Sequence, residues 1–383
     1  MTHADDIVRY GVIGTGMMGI EHIENVNVLE GGVVTAIADT HAASRDAGAA
    51  AAGSDVAVFD DHRDLLGSGL CDAVVVASPN HTHADIAADL LETDLHALLE
   101  KPLTTGVDDC ERLIALDAER SAHAITWMAM EYRYMSVTAE LVRQVRAGVV
   151  GAPRMVAIRE HRYPFLAKVE NWNRFTEKTG GTLVEKTCHF FDLMNLILTE
   201  RPHRVFASGA QDVNHLDEIY DGRAADMLDN AYVVVDYPSG ARALLDLCMF
   251  ADATQEEQET SVVGATGKVE AFIPSNTLRV GRRGVHGLGG VEQRQVADDR
   301  IAYQGLHHGS SYIEHLHFIE AIRTGAAPEV TLDDGYWAVA MGVAAHRSID
   351  LGRPVELAEI MSADMMNPYP TDTADAAMNG AST

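Results

Sequence analysis

The feature that most limits the fold is a glycine-rich stretch near the N-terminus, GVIGTGMMGIEHI. Gly14, Gly16 and Gly19 have G-x-G-x-x-G spacing, with an apolar run before them and a helical pattern after them. In this context the first glycine permits a tight turn, the second admits a pyrophosphate, and the third packs helix against strand. The stretch therefore predicts a dinucleotide-binding βαβ unit, with Met17 and Met18 at a helix N-terminus that faces the phosphates.

The next apolar run, VVTAIAD, ends at Asp39, twenty residues after Gly19. An acid at this place accepts hydrogen bonds from the adenosine ribose and repels a 2′-phosphate. Asp39, with Thr40 beside it, therefore favours NAD over NADP, although Arg45 downstream would soften that preference. The alternative interpretation is a glycine turn in another kind of doubly wound protein.

Short apolar runs alternate with helical patterns through the first third of the chain, which is typical of parallel βαβ units. Beyond about residue 125 the runs lengthen and alternate polar with apolar positions, which predicts a mostly antiparallel sheet with one buried face. The predicted fold class is α/β, with a Rossmann doubly wound parallel sheet followed by an α+β domain with a large open sheet. We place the dinucleotide-binding domain at residues 1–126, a substrate-binding and oligomerisation domain at 127–361, and a disordered acidic tail at 362–383.

Three helical patterns belong to the second part of the chain. One continuous helix is predicted for GGTLVEKTCHFFDLMNLIL, on which Glu185, His189 and Asp192 share a face at i, i+4 and i+7. A histidine with a carboxylate one turn away is an oriented base near neutral pH, whereas Asp192 also fits an ordinary polar helix position. Two later helices are predicted to end at Gly325 and Gly352.

The composition excludes several classes of partner. The formal net charge is −28, and both nucleic acids and anionic membrane surfaces need a basic footprint that this chain lacks. No apolar run approaches membrane-spanning length, and the N-terminus has no export signal. The four cysteines are far apart, which favours free thiols in a reducing cytoplasm.

Lysine is scarce in this chain. The five lysines are Lys101, Lys168, Lys178, Lys186 and Lys268. An acidic excess with few lysines indicates a halophilic protein, kept soluble in concentrated salt that screens self-repulsion, but a host that prefers arginine gives the same composition. Lys101 is notable because it ends a predicted parallel strand, at the edge where open α/β sheets bind ligands.

Further motifs carry a family resemblance. They are VVVASPNHTHADIA, HALLEKPLTT, ENWNRF, GGTLVEKTCHFFD and SSYIEHLHFIEAIRTG. With them the chain resembles, over nearly its whole length, the glucose–fructose oxidoreductase / inositol dehydrogenase family of NAD(P)-dependent sugar and cyclitol dehydrogenases. Its most specific element is Glu100-Lys101-Pro102, where the family suggests a cis peptide bond. The resemblance also implies a C-terminal sheet that often supports oligomers, so we expect a homo-oligomer, either a dimer or a tetramer.

The resemblance implies three catalytic residues. His189 is the expected base, Lys101 the expected donor to the developing alkoxide, and Glu185 the expected partner that orients the histidine. The family usually has aspartate at the position of Glu185, so the extra methylene puts its contact in doubt. Lys186, one residue further on, is assigned to the substrate, together with Lys101, Glu185, His189 and Tyr163.

Cofactor contacts are implied in the same way. The residues assigned to NAD are Gly14, Gly16, Met17, Met18, Gly19, Asp39, Thr40, Ser78, Pro79, Asn80, His83, Glu100, Lys101, Trp172 and Arg174. Tyr163 and His161 could reach the pocket, but a surface or core role fits each of them equally well. His307 and His308 are expected to cap a helix or line the site. His81 and His83 form an H-x-H pair without a matching third ligand, so no metal is expected.

These observations predict an NAD-dependent dehydrogenase that oxidises a secondary or anomeric hydroxyl of a cyclitol such as inositol, or of an aldose. A second hypothesis is an NAD-dependent glycosidase, which oxidises its substrate transiently and restores the cofactor. A third is a non-catalytic sugar or dinucleotide sensor. The presence of both Lys101 and His189 argues against the sensor.

Overall fold

The N-terminal part of the molecule is a parallel β-sheet with helices between its strands. The computed structural model describes residues 7–284 and 290–366. The elements of this part are β1 (Val8–Ile13), α1 (Met17–Val28), β2 (Gly32–Ala38), α2 (Ala42–Ala52), β3 (Ala57–Phe59), α3 (His62–Leu66), β4 (Ala73–Val76), α4 (His83–Leu91), β5 (His96–Leu99), α5 (Val107–Ala118) and β6 (Thr126–Met128). The strand order is β3-β2-β1-β4-β5-β6, which confirms the predicted Rossmann sheet.

The central strands of this sheet are buried on both faces, which explains their uninterrupted apolar sequences. All four residues of β4, AVVV, are buried, and β1 is buried at every position except Arg9. Helices cover both faces of such a sheet, so neither face of the strand meets water. The polar residues that follow each strand are therefore the ones brought together at the carboxyl edge.

The C-terminal part is built around a second, larger sheet. Its elements are α6 (Ser136–Arg146), β7 (Pro153–His161), α7 (Thr176–Thr179), α8 (Thr182–Glu185), α9 (Cys188–Leu198), β8 (Arg204–Ala210), β9 (Ile219–Tyr220), β10 (Arg223–Ala224), β11 (Asn230–Asp236), β12 (Arg242–Cys248), β13 (Gln258–Gly264), β14 (Gly267–Ile273), β15 (Thr277–Arg282), β16 (Val291–Gln295), α10 (Ser310–Thr324), α11 (Leu332–Leu351), β17 (Val355–Glu356) and α12 (Ala363–Met366). Nine strands pair in the order β16-β15-β14-β13-β7-β12-β11-β8-β17. Within the described part of this sheet only β7 and β12 pair in parallel, so the predicted mostly antiparallel sheet is confirmed.

Helices pack against one face of the large sheet and leave the other open. α6 packs on β14, α9 on β7 and α11 on β8. On the opposite face Phe206, Val234 and Leu244 lie side by side on neighbouring strands, with Tyr232 nearby, and all four are exposed. The alternation of buried and exposed residues along β11 follows directly from this one-sided packing.

The helix predicted through Glu185 and His189 is broken. α8 ends at Glu185 and α9 begins at Cys188. The Thr187 hydroxyl donates to the Leu183 carbonyl at 2.6 Å, a side-chain bond that competes with the helical ladder and bends it. Glu185 and His189 therefore belong to two helices, and the expected regular i, i+4 relation does not hold.

The two late helices end where the sequence predicts. Gly325 and Gly352 follow α10 and α11 with φ of 67° and 62°, in the left-handed region that favours glycine at a helix end.

Residues 363–366 of the predicted disordered tail form α12, and residues 367–383 lie outside the described residues. α10 packs against α1, so this late helix contacts the first βαβ unit. In the part of the chain that is described, no helix has the length and apolar character needed to cross a membrane.

Candidate active site

A cleft of ≈ 650 Å³ follows the carboxyl edge of the parallel sheet. One wall comes from residues that directly follow β1, β2, β4 and β5, and the other comes from the segment before α7. The residues that line it include Gly14, Gly16, Met17, Met18, Asp39, Thr40, Ser78, Pro79, Asn80, His81, His83, Glu100, Lys101, Lys168, Trp172 and Lys178. This is the place where open α/β sheets bind ligands.

The glycine loop fits a dinucleotide. Gly14 has φ of +85°, and a Cβ there would lie 2.6 Å from the backbone of Ser78. A Cβ on Gly19 would lie 1.9 Å from the Gly14 carbonyl oxygen, whereas one on Gly16 would meet nothing within 4 Å and would project into open space. Among the described residues no side chain caps the N-terminus of α1, so its backbone N–H groups are available to a pyrophosphate.

The acid at the end of β2 is held by the loop around it. Asp39 accepts hydrogen bonds from the backbone N–H of Thr15 and of His41, both at 2.8 Å. Arg45 donates to the carbonyl oxygens of Asp39 and Thr40 at 2.7 and 3.2 Å. Its guanidinium is thus bonded to the backbone, which favours NAD, because Arg45 offers less to a 2′-phosphate than the sequence suggested.

His83 joins two turns that line the cleft. Its Nδ1 lies 2.8 Å from the Pro102 carbonyl oxygen and its Nε2 lies 2.9 Å from the Ser78 carbonyl oxygen. The peptide bond between Lys101 and Pro102 is cis, as the resemblance suggested. Both ring nitrogens of His83 are therefore occupied by backbone, and the ring sets the geometry of the turns that carry Ser78 and Lys101.

Lys101 lies at the inner end of the cleft. Burial alone would lower its pKa, but the carboxylates of Glu185 and Glu100 raise it, so the ammonium stays charged. Glu100 in turn contacts His22 at 2.9 Å, and His22 contacts His315 at 2.9 Å. Burial raises the pKa of the Glu100 carboxyl, but the hydrogen bond and charge of His22 and the charge of Lys101 outweigh this effect and lower the pKa to about 2. The strand end thus presents a fixed cation.

Glu185 faces the cleft residues. Its carboxylate accepts hydrogen bonds from the Asn80 side-chain amide and from Lys168, the latter at 3.4 Å. Although burial opposes ionisation, the charges of Lys168 and Lys101 lower its pKa. Because the helix is broken after Glu185, this carboxylate lies between Asn80 on the cleft wall and the charge of Lys101, and no ion pair joins it to His189 among the described residues.

Lys186 belongs to a second buried cluster. Its Nζ lies 2.8 Å from Glu160 Oε1 and donates to the Tyr132 hydroxyl at 2.7 Å. Arg162 approaches the same glutamate at 3.6 Å. Burial lowers the pKa of Lys186 to about 8, with Glu160 opposing the shift.

His189 lies between the two clusters. Its ring stacks on Tyr132 with centroids 3.9 Å apart, and its Nε2 is 3.5 Å from Glu131 Oε1. Burial and then the charges of Lys101 and Lys186 hold the pKa of this imidazole well below its ordinary value, so the ring is neutral. The carboxylate that accompanies His189 is thus Glu131, which differs from the expectation that Glu185 orients it.

Several predicted residues lie elsewhere. Arg174 is buried and ion-paired with Glu218 at 2.9 Å, away from the cleft lining, because its side chain anchors the β9–β10 hairpin. Asp192 pairs with Arg133 and has the ordinary structural role that the sequence left open. Tyr163 is exposed, with the Arg162 guanidinium over its ring. Trp172, in contrast, does line the cleft.

The sequence interpretation missed Glu131, Tyr132, Glu160 and Lys168. Glu131 and Tyr132 follow β6, so the rule that strand ends meet at the carboxyl edge would have found them. Glu160 occupies a buried position of β7, where the alternating pattern predicts an apolar residue. A glutamate at such a position indicates a buried charged partner. Three of the five lysines line the cleft and a fourth, Lys186, lies in the adjoining cluster.

Within the described residues there is no group of three or more histidine, cysteine, aspartate or glutamate side chains suited to holding a metal ion. His81 has a tilted contact with the Trp172 ring, with centroids 6.1 Å apart, and His83 is bonded to backbone. The H-x-H pair is therefore explained by packing and hydrogen bonding.

Comparisons with known proteins agree with this geometry. Residues 8–127 match the NAD-binding Rossmann fold of the Gfo/Idh/MocA oxidoreductase family, and residues 142–357 match its C-terminal alpha/beta domain. The myo-inositol 2-dehydrogenase of Thermotoga maritima is 29% identical over 356 residues, covering 92% of this chain and 100% of the relative. Inositol 2-dehydrogenase 1 of Saccharopolyspora erythraea is 30% identical over 356 residues, covering 91% and 96%.

A solved structure gives the same picture of the fold. The crystal structure of a probable dehydrogenase from Thermotoga maritima is 26% identical, with a TM-score of 0.74 over 92% of this chain and 100% of that one. The likeness therefore extends over both sheets and the cleft between them.

Proposed function

Because the chain belongs to the Gfo/Idh/MocA oxidoreductase family, we propose that this NAD-binding dehydrogenase oxidises a secondary or anomeric hydroxyl of a cyclitol or an aldose. One observation carries the proposal. Lys101 lines the dinucleotide cleft, and its charge also lowers the pKa of His189 and of Glu185. Its ammonium therefore lies near both the residues proposed for the cofactor and those proposed for the substrate.

The residues of the chain supply position, a base and a charge. NAD, when bound, supplies the hydride acceptor. The glycine loop and Asp39 would hold the pyrophosphate and the adenosine ribose of NAD, and Ser78, Pro79 and Asn80 line the same cleft. Lys101 follows β5 and lines the same cleft, where we place the nicotinamide.

His189 is the base in this scheme. Burial and neighbouring cations keep the pKa of its imidazole low, so the ring is neutral and ready to accept the hydroxyl proton. Lys101 remains charged and donates a hydrogen bond to the oxygen on which negative charge develops. The Glu185 carboxylate stabilises the charged form of Lys101. It also accepts a hydrogen bond from Asn80, which lines the cleft.

The charges around the site favour an uncharged substrate. Lys186 and Arg162 are paired with Glu160, and Lys168 is paired with Glu185, so the charges of these three cations are already balanced by carboxylates of the chain. A polyhydroxylated ring suits a set of alternating donors and acceptors of this kind. The inositol dehydrogenase relatives are named for such a ring.

A substrate panel tests the proposal. Inositols and aldoses are offered with NAD and with NADP, and formation of the reduced nicotinamide is followed by its absorbance. We expect turnover with at least one neutral polyol and NAD. Sugar release from glycosides without net NADH would instead indicate the glycosidase, and tight NAD binding without reduction by any polyol would indicate the sensor. Either result would end the dehydrogenase assignment.

We also propose that the open face of the large sheet joins copies of this chain into a dimer or tetramer. Phe206, Tyr232, Val234 and Leu244 form an exposed apolar row, and such patches favour self-association. Light scattering on the purified protein should report an oligomer. A Leu244→Glu variant should shift it towards the monomer, whereas Val58→Glu, an equally apolar exposed change on the other sheet, should not.

We place the protein in the cytoplasm. All four cysteines are free, and Cys71, Cys110 and Cys188 are buried, a pattern that suits a reducing compartment. Fractionation of cells that express the native chain should recover it with cytoplasmic markers; recovery outside the cell membrane would contradict this.

A further inference from the structure

Beside His189 lies a glutamate that the reaction scheme above does not use. Glu131 follows β6, its side chain is 1% exposed, and neither carboxylate oxygen has a hydrogen-bond partner among the described residues. A buried polar group without partners destabilises the fold by ~1–3 kcal/mol, and more when it is charged. A side chain retained at that cost is a candidate for a direct role in the site.

Two imidazoles flank one oxygen of this glutamate. His189 Nε2 lies 3.5 Å from Glu131 Oε1, and His307 Nε2 lies 3.7 Å from the same atom. His307 continues to Glu21, with Nδ1 3.3 Å from Oε1. The His307 side chain is 18% exposed, whereas that of His189 is 2% exposed. The row His189–Glu131–His307 therefore leads from the buried site towards solvent.

We propose that Glu131 is a positioning residue that takes a proton from His189 and passes it through His307 to solvent. This inference rests on the proposed function, because the proton comes from the substrate hydroxyl. His189 Nδ1, which is buried and has no partner among the described residues, accepts that proton, and Nε2–H transfers its own to Glu131 Oε1. The carboxyl then protonates His307 Nε2, and the imidazolium releases one proton to water.

The distances suit a site without substrate. Heavy atoms 3.5–3.7 Å apart are longer than a hydrogen bond of ≈ 2.6–3.2 Å, and catalytic contacts commonly tighten only when substrate binds. The stack of His189 on Tyr132 fixes the plane of the imidazole, so a small approach of Glu131 completes the contact.

The groups around Glu131 set when it can accept a proton. Those that face it from neighbouring elements are His189 and Cys188 of α9, His307 before α10, Glu314 of α10, Glu100 and Lys101 after β5, and Tyr132 of its own turn. Burial raises the pKa of Glu131 to about 7, with His307 opposing and Glu100 reinforcing the shift. The ionised form, which is the acceptor, thus prevails above about pH 7 and is lost as pH falls, so kcat should fall with it.

A pair of matched variants tests the role. Glu131→Gln removes the acceptor and preserves volume. Glu314→Gln makes the same change at another buried carboxyl, which faces Glu131 but forms no ion pair with His189 or His307 among the described residues, and which burial keeps protonated through a strongly raised pKa. We expect Glu131→Gln to lower kcat about 10- to 100-fold, less than the ~10²- to 10⁴-fold of a general base, and to abolish the pH limb near 7. Glu314→Gln should retain both within about 2-fold.

A His307→Gln variant provides a second readout if Glu131→Gln folds poorly. It leaves the Glu131–His189 pair intact and removes the exit, so imidazole added to the buffer should restore part of the lost rate. Equal loss in Glu131→Gln and Glu314→Gln, an unmoved pH limb, or no response of His307→Gln to imidazole would overturn the proposal while leaving the dehydrogenase assignment intact.

The infrared carbonyl band of a protonated buried carboxyl tests the proton transfer at Glu131 without any substrate. In the free enzyme a band should titrate near pH 7, disappear in Glu131→Gln and persist in Glu314→Gln. If no polyol is turned over, the proposed function fails, and this titration still shows whether Glu131 exchanges a proton. A titrating band that survives in Glu131→Gln would refute the relay.

Discussion

Lys101 is the residue on which the proposed chemistry depends most. Its ammonium is charged, partly buried and held by Glu185 and Glu100, so it can stabilise a developing alkoxide. Lys101→Met keeps the length of the side chain but removes this donor. We expect kcat to fall about 10²- to 10³-fold, as for loss of one oxyanion donor, while NADH fluorescence still reports cofactor binding.

The matched control for Lys101 is Lys268→Met. Lys268 lies on β14, far along the large sheet, and its ammonium pairs with Glu270 at 2.7 Å. The exposed pair contributes little to stability, so turnover should match the unaltered protein. Near-normal turnover of Lys101→Met, measured with the same substrate, would remove Lys101 from the mechanism.

Asp39 is the residue that sets cofactor choice. Its carboxylate lines the cleft at the end of β2, and Arg45 is bonded to backbone carbonyl oxygens. Asp39→Ser removes the charge that repels a 2′-phosphate, so kcat/KM for NADP relative to NAD should rise about 10-fold or more. Asp55→Ser, at an exposed turn outside the cleft, should leave the ratio unchanged; an equal ratio in both variants would contradict the assignment.

At the scale of single residues, motif and strand position predicted much of the site. Gly14, Asp39, Asn80 and Lys101 all line the cleft, and their contacts with a cofactor or substrate stay predictions. Glu131 was missed because its role comes from a histidine 58 positions away in sequence, brought within 3.5 Å only by the packing of α9 against the turn after β6. Pairings of that kind depend on tertiary contacts that a single sequence does not encode locally.

Among the elements, the break between α8 and α9 has the largest effect on the site. It turns Glu185 towards Asn80 and Lys168, whereas His189 follows α9 to Glu131. The apolar pattern predicted one helix because hydrophobic periodicity does not register the hydrogen bond that the Thr187 hydroxyl donates to the Leu183 carbonyl oxygen. The late helices were predicted correctly because their ends carry glycine, a local signal.

The close approach of α11 to α8 holds this arrangement in place. Gly342 lies so near that an added Cβ would be 2.2 Å from the Leu183 carbonyl oxygen. Gly342→Ala must push α11 away from the helix that carries Glu185. We expect it to lower the free energy of unfolding by about 1–3 kcal/mol, the usual range for overpacking, with a lower thermal midpoint and a lower kcat.

Gly106→Ala is the control for that change. An added Cβ at Gly106 meets nothing within 4 Å and its φ is −156°, an extended conformation open to any residue. Its thermal midpoint should change less than that of Gly342→Ala. Equal midpoints for the two variants would show that the approach of α11 to α8 is not a tight contact.

At the scale of the whole molecule, charge is the dominant property. With a net charge of −28 the folded protein repels itself, and the repulsion is screened as the Debye length falls from about 10 Å at 0.1 M salt to about 3 Å at 1 M. If the composition reflects a high-salt host, the thermal midpoint should rise between 0.1 and about 2 M KCl and activity should persist. Sucrose at equal osmolality controls for preferential exclusion. Loss of activity in concentrated KCl would argue for an arginine-preferring host instead.

The overall architecture was predictable because its signals repeat along the chain. The buried strand β4 of the first sheet is an apolar run, and β11 and β12 of the second sheet alternate buried with more exposed positions, so the two kinds of sheet follow from pattern. The strand order of the larger sheet was not predictable. It depends on the parallel pairing of β7 with β12, two strands separated by about 80 residues, and only long-range contacts select it.

The placement of the five lysines has a practical consequence for attaching this protein to a surface. Of their side chains, that of Lys268 is 46% exposed, whereas those of Lys168 and Lys186 are 27% and 6% exposed. Of these three lysines, an amine-reactive support would therefore capture the chain chiefly at Lys268 on β14, outside the cleft lining. Labels that reach Lys101, Lys168 or Lys178 would report ligand occupancy, because these three line the cleft and a bound dinucleotide would shield them.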